Sequence, residues 1–432
     1  MIRLAARTAT FGLGLPRHLE LFDENRTALV SCSLPGHGFP VAPRDVPAQS
    51  DDLRAAYESV TELYNQGRYD EAEPLALKAL ALSETEFGPD HPTTSIYLAW
   101  LAELYRAQSK YAEAEPLLER VLAIKEKALG LEHPEVAGAL SSLASLYSAQ
   151  GKYAEAEPLH ARALATREKV LGPDHVDVAE SLNALAWLYR EQGKYADAES
   201  LQKRALAVAE NALGGEHRHV ASVLSSMAWL YYMQGKDAEA EPLLKRALAI
   251  WVKALGPDHP RVAEGLNSLG ELYISQGKYH EAEPLIKEAV TIREKTLGFD
   301  HPEVARSVGA LATLYYYQKK PTEAEQLYKR VLSIREKALG PEHPDVATDL
   351  NSLAALYESQ GKYSEAEPNY KRSLAIYEAA LGPRHPKVAT VLDNLGGALP
   401  RPRQIRRGRA ARQAVVGDLR SGVRPGAPQR RP

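Results

Sequence analysis

The sequence predicts an all-α fold, a right-handed α-solenoid of tandem helix-turn-helix units. Three observations predict it. One stretch of text returns every 42 residues, marked by His91, His133, His175, His217, His259, His301, His343 and His385. Self-similarity at such a period is the signature of a stacked repeat array. Within each period, two runs of apolar residues at 3–4 spacing are separated by a glycine turn, which fits two short amphipathic helices. The composition agrees, being rich in Ala, Leu and Glu with only five Phe.

The unit opening at His133 justifies the elements in order. Its first helix starts at Pro134, which suits a first helical position because the missing N–H would be unpaired there anyway. The same Pro recurs at Pro260, Pro302, Pro344 and Pro386, with Val176 and Arg218 in its place elsewhere. Val136, Leu140, Leu143 and Tyr147 form the apolar stripe. The helix ends near Gln150-Gly151, where glycine accepts a left-handed turn. The second helix starts at Tyr153 and runs toward Leu171-Gly172, with Glu155 and Glu157 near its positive end and Lys169 near its negative end. Pro158 falls early in it and predicts a late start or a slight bend. Ala144, Ala156 and Ala163, repeated as Ala186, Ala198, Ala205, Ala354 and Ala366, mark close helix crossings. A larger side chain there would overpack the contact at about 1–3 kcal/mol. Tyr105, Tyr147, Tyr189, Tyr231, Tyr273, Tyr315 and Tyr357 occupy one position and read as aromatics packed between helices.

The pattern Leu–x–x–Leu–Ala–x–x–Tyr, then Gly–x–Tyr–x–x–Ala, then Ala–Leu resembles the tetratricopeptide repeat. The 42-residue period and the Leu-Gly-Pro-Asp/Glu-His-Pro linker resemble its kinesin light chain and nephrocystin-3 subclass more closely. The resemblance covers about residues 52–396. It implies a superhelix whose first helices line a concave groove, with Asn side chains able to clamp a peptide backbone. It says little of function, because one fold hosts many roles. No heptad coiled coil of the kind that joins a kinesin light chain to its partner is visible.

Three segments follow. Residues 1–50 carry scattered Pro and Gly, no periodicity and no clean signal-peptide pattern, and are expected to be an irregular, disordered arm. Residues 51–396 form the solenoid of eight helix pairs plus a partial ninth. The first unit is atypical, with Tyr64 one residue closer to its glycine, as expected of a terminal repeat. Residues 397–432 are Arg-rich and expected to be disordered. They hold ten Arg and one acid, a charge of +9 in a chain of net −3, which leaves −12 for the rest. Read one base later with permitted codons, this tail can encode a further repeat, its His-Pro falling 42 positions after His385. A frameshift product is therefore expected there, with Leu392 and Leu395 left without their usual second helix. The intact gene would then continue into more repeats or an effector domain.

An acidic solenoid argues against nucleic acid as the ligand of the repeats. No run of 18 apolar residues suggests a membrane span. The single Cys32 excludes an internal disulfide framework. A cytoplasmic location is expected.

The repeated histidines are spread one per unit and cannot converge on a metal, so they read as helix-start residues; no metal and no cofactor are expected. Glu155 and Glu157 sit two apart on a helix, share no face, and read as solvated charge rather than a catalytic pair. His18, His37, His160, His219 and His280 show no partner pattern. No phosphate loop or nucleophile elbow appears, and no enzyme is expected. The groove remains. Asn183, Asn267 and Asn351 follow a first-helix Leu, and an Asn amide offers both donor and acceptor. Ala99, Ser141, Ser225, Gly309 and Asp393 stand at that position in other units. Further along the same face come Trp187 and Arg190, Trp229 and Tyr232, and Tyr316, residue types that dominate binding hot spots. The expected work is therefore that of a scaffold or adaptor binding a peptide or protein segment. The rival is the sensor part of a larger signalling enzyme whose C-terminal effector domain is missing.

Overall fold

The computed structural model describes residues 51–398 apart from 384. The expected arm and nearly all of the basic tail lie outside the described residues. Seventeen helices follow one another with no strand among the described residues. They are α1 (Asp51–Asn65), α2 (Tyr69–Phe87), α3 (Pro92–Ala107), α4 (Tyr111–Leu129), α5 (Pro134–Ala149), α6 (Tyr153–Leu171), α7 (Val176–Glu191), α8 (Tyr195–Leu213), α9 (Arg218–Met233), α10 (Asp237–Leu255), α11 (Pro260–Ser275), α12 (Tyr279–Leu297), α13 (Pro302–Tyr317), α14 (Pro321–Leu339), α15 (Pro344–Ser359), α16 (Tyr363–Leu381) and α17 (Pro386–Ala398). Eight pairs and a single last helix give units one to nine. Each helix packs on the one before and the one after, the arrangement of an all-α solenoid.

Every first helix from α3 onward starts the same way. The histidine before it is extended, and its Nδ1 accepts the backbone N–H two residues on, at 3.0–3.2 Å in all eight units. This cap satisfies one of the donors that a helix N-terminus leaves unpaired. The glycine ending each second helix, such as Gly172 at φ +87°, takes the positive φ that lets the chain leave the helix. Pro158 neither delays α6 nor ends it: the helix starts at Tyr153 with Pro158 inside.

The close-crossing alanines behave as expected. Ala144, Ala156, Ala163, Ala186, Ala198, Ala205, Ala354 and Ala366 are all fully buried. The repeated tyrosines join neighbouring units. Tyr189, Tyr231, Tyr273, Tyr315 and Tyr357 donate to Glu157, Glu199, Glu241, Glu283 and Glu325 of the unit before, at 3.1–3.5 Å. The turn lysines reach back to the same acids, as Lys194 does to Glu157 at 3.2 Å, and cover the same rings, Lys194 lying 4.8 Å from the Tyr189 centroid. This corrects the reading of the Glu-Ala-Glu pairs as solvated charge. Glu155 is exposed, but Glu157 is half-buried and holds two elements of the next unit.

Val388, Val391 and Leu395 of α17 are buried against unit eight, and Leu392 packs partly against the same core. The second helix of unit nine lies outside the described residues.

Candidate functional site: a concave cavity at units four to seven

The first helices α7, α9 and α11 contribute most of the lining of one surface, with Arg306 of α13 and Leu244 and Trp251 of the second helix α10. Five of the residues that the sequence nominates, Asn183, Trp187, Arg190, Trp229 and Asn267, line one open cavity. Arg190 is buried, pairs with Glu191 at 2.8 Å, and its guanidinium lies 5.9 Å from the Trp187 ring centroid. Trp229 lies at the rim, its ring 4.9 Å from that of Tyr232.

The asparagines are partly committed within the chain. Asn183 donates to Ser226 Oγ at 3.4 Å, and Asn267 donates to Glu271 Oε1 at 2.5 Å. Their Oδ1 atoms, and Trp229 Nε1, are buried without a hydrogen-bond partner. A buried polar atom left unpaired costs about 1–3 kcal/mol, so these three mark a surface with unused bonding capacity.

Arg261, Glu264, Glu271 and Arg306 line the same cavity. Arg261 is held by Glu264 at 2.8 Å. Burial pushes the Glu271 carboxyl up to about 7, with Arg306, Arg293 and the Asn267 amide opposing that rise. Sequence reasoning passed over Ser222, Glu264 and Arg306, which stand three residues before the Asn183-type position in their units. The stripe followed from the Asn183-type position toward the helix C-terminus misses them; they lie one turn the other way.

The remaining nominated residues lie elsewhere. Tyr232 is buried among the residues joining α9 to α11. Tyr316 is buried between units seven and eight. Asn351 is buried and its Oδ1 accepts from Asn394 at 3.1 Å, which links α15 to α17. Among the described residues no group of His, Cys, Asp and Glu could hold a metal ion, and no helix is long and apolar enough to cross a membrane.

A stack of helix pairs with a lined inner face defines the class of α-solenoid repeat proteins. The tetratricopeptide repeat profile matches residues 60–127, 135–211, 189–251, 235–295, 261–337, 303–379 and 360–399, and the chain belongs to the tetratricopeptide repeat family. In coarse terms that family fits a protein-interaction scaffold. No curated protein matches the chain. Similar solved structures include the nearly identical TPR-like repeats of a Podosopora anserina kinesin light chain-type protein, at 30% identity over 48% of this chain and 98% of that one, TM-score 0.39. They also include BtubC (BKLC) from P. vanneervenii, at 24% identity over 58% of this chain and 94% of that one, TM-score 0.42. The apo form of the quorum sensor NprR from B. thuringiensis is similar at 15% identity over 75% of this chain and 87% of that one, TM-score 0.53. Kinesin light chain-like proteins are thus among its structural neighbours.

Proposed function

We propose that the protein is a non-catalytic adaptor that holds an extended peptide or protein segment in the concave cavity of units four to seven. The observation that carries this reading is the meeting of Asn183, Trp187, Arg190, Trp229 and Asn267 in one cavity, with three of their polar atoms unpartnered. A peptide main chain carries both the donors those carbonyl oxygens need and the acceptor that the indole N–H needs. The indole faces supply apolar area at small entropic cost, as interface anchors do. The acidic solenoid favours a neutral or basic partner over nucleic acid, and we place the work in the cytoplasm.

The test is a pull-down with the full chain beside a Trp187→Ala/Trp229→Ala variant, read by mass spectrometry. Partners held by the parent and lost by the variant support the groove. Partners held equally by both move the site elsewhere.

A second reading makes the chain the sensor part of a larger signalling enzyme. It is favoured by residues 397–432, whose shifted-frame text continues the repeat. The gene sequence tests it: an open shifted frame running well past one more repeat supports an effector domain, and an early stop removes that support.

A further inference from the structure

The superhelix meets itself. The turn inside unit one lies against the start of unit seven, and α2 touches α14. A Cβ on Gly67 would stand 2.5 Å from Pro302 Cδ and 3.4 Å from His301 Cδ2. In unit two the corresponding residue is Ser109, whose Oγ lies 2.8 Å from His343 Nε2, 234 residues away. In unit three a Cβ on Gly151 would stand 3.8 Å from His385 Cδ2. The same separation thus joins three successive turns to three successive cap histidines.

Ser109 is informative because it breaks the turn's own rule. This position is glycine in most units, and Ser109 occupies φ +55°, a conformation unfavourable to a residue with a Cβ. Its hydroxyl has a use there. Nδ1 of His343 accepts the Asp345 N–H, so the neutral ring carries its proton on Nε2 and donates it to Ser109 Oγ, which donates in turn to the Tyr111 hydroxyl at 3.2 Å. A proton added to Nδ1 would face the Asp345 N–H donor to donor. The buried rings of His301 and His343 have less room to turn away than the half-exposed cap histidines of units two and three.

We propose that His301, His343 and His385 form a proton-sensitive clasp that fastens one superhelical turn to the next. Burial lowers the affinity of all three rings for a proton, bringing His385 down to about 4. The charged groups around them pull both ways. Glu303 and the Asn65 carbonyl favour the proton on His301 and Arg293 opposes it. Asp345 and the Ala107 carbonyl favour it on His343 while Arg335 and Lys387 oppose it, and Lys387 opposes it on His385. The closed form therefore binds fewer protons than an open one with ordinary histidines near 6.5. Closure holds above that value and is lost as pH falls through the window toward about 4.

The experiment uses the full chain with Cys32→Ser, and with spin labels at Lys78→Cys on α2 and Ser333→Cys on α14, both exposed. Electron paramagnetic resonance reads the distance between turns, and circular dichroism reports that the helices persist. A short, narrow distance at pH 7.5 that lengthens by pH 5 is expected. Replacing the three clasp histidines by Asn, which caps a helix but does not titrate, should abolish the pH response. The same change at His91, His133 and His175 should leave it intact. A distance unchanged between the two pH values overturns the clasp, as does a response that survives the clasp triple or is lost equally in the control triple.

Discussion

Gly270 and Ile286 are complementary. A Cβ built on Gly270 would stand 2.5 Å from Ile286 Cγ1. The pair recurs sixteen residues apart in other units, with Ala at the first position and an unbranched Cβ at the second: Ala102 with Leu118, Ala144 with His160, Ala186 with Gln202, Ala228 with Leu244, Ala312 with Tyr328, Ala354 with Tyr370. Among the complete pairs of units two to eight, Ile286 is the one β-branched residue and Gly270 the one glycine. Gly270→Ala gains about 0.5–1 kcal/mol of helix propensity but overpacks a fully buried contact at about 1–3 kcal/mol. A lower urea midpoint is expected for the single change. Gly270→Ala with Ile286→Leu should match or exceed the parent. A single variant as stable as the parent would show that the crossing adjusts freely.

The capping histidines predict a graded series. His133 is half-exposed and takes no part in the contact between turns, so its measurable role is the bond from the Glu135 N–H at 3.2 Å. His133→Ala should cost about 1 kcal/mol, and His133→Asn should recover most of it. Chemical denaturation of the full chain checks this. Equal losses in both variants would place the role of His133 elsewhere.

Between units, the tyrosine–glutamate bonds carry a similar expectation. Tyr273 donates to Glu241 at 3.2 Å across the seam of units five and six. Tyr273→Phe keeps the ring and removes the hydroxyl, at an expected cost of about 0.5–1.5 kcal/mol. Because units five and six meet through their adjoining helices and take no part in the contacts between turns, the loss should stay local. Hydrogen exchange should speed in α10 and α11 and not in α3. Uniform acceleration along the chain would contradict a nearest-neighbour array.

Most of the fold was legible because it is local. The period, the prolines, the histidines and the glycines each name a helix start or stop within a few residues, and every unit repeats the statement. Glu157 and Tyr189 were legible as positions but not as a pair, because the bond crosses a unit boundary that helix periodicity does not describe. The contact of Ser109 with His343 was not legible at all. It depends on the small rotation from one unit to the next, summed over six units, which the 42-residue text does not encode in any single place. The cavity was half legible: the stripe of α7, α9 and α11 could be followed in sequence, while the meeting of Asn183 with Asn267 needed the curvature of the stack. Tyr316 and Asn351 fit the stripe equally well, yet packing between units buries them.

Glu271 makes the cavity pH-dependent in a direction opposite to the clasp. Its carboxyl is buried and held up to about 7, mainly by loss of water, while the unfolded chain would keep it near 4.3. A carboxyl whose folded value is raised binds its proton more readily in the folded chain. Its contribution to stability is therefore present at low pH and is lost as pH rises from the unfolded value through about 7. Above that window the chain buries an ionised Glu271 that only Arg306, Arg293 and Asn267 compensate. Glu271→Gln keeps the oxygen that accepts from Asn267 and removes the charge. It should raise the denaturation midpoint at pH 8, by an amount on the order of 3 kcal/mol before relaxation, and change it little near pH 4. Midpoints measured in urea at the two pH values check it. A loss of stability at pH 8 would mean that the carboxylate is held there by the arginines more strongly than burial opposes it, and that the cavity keeps a permanent negative charge for its ligand.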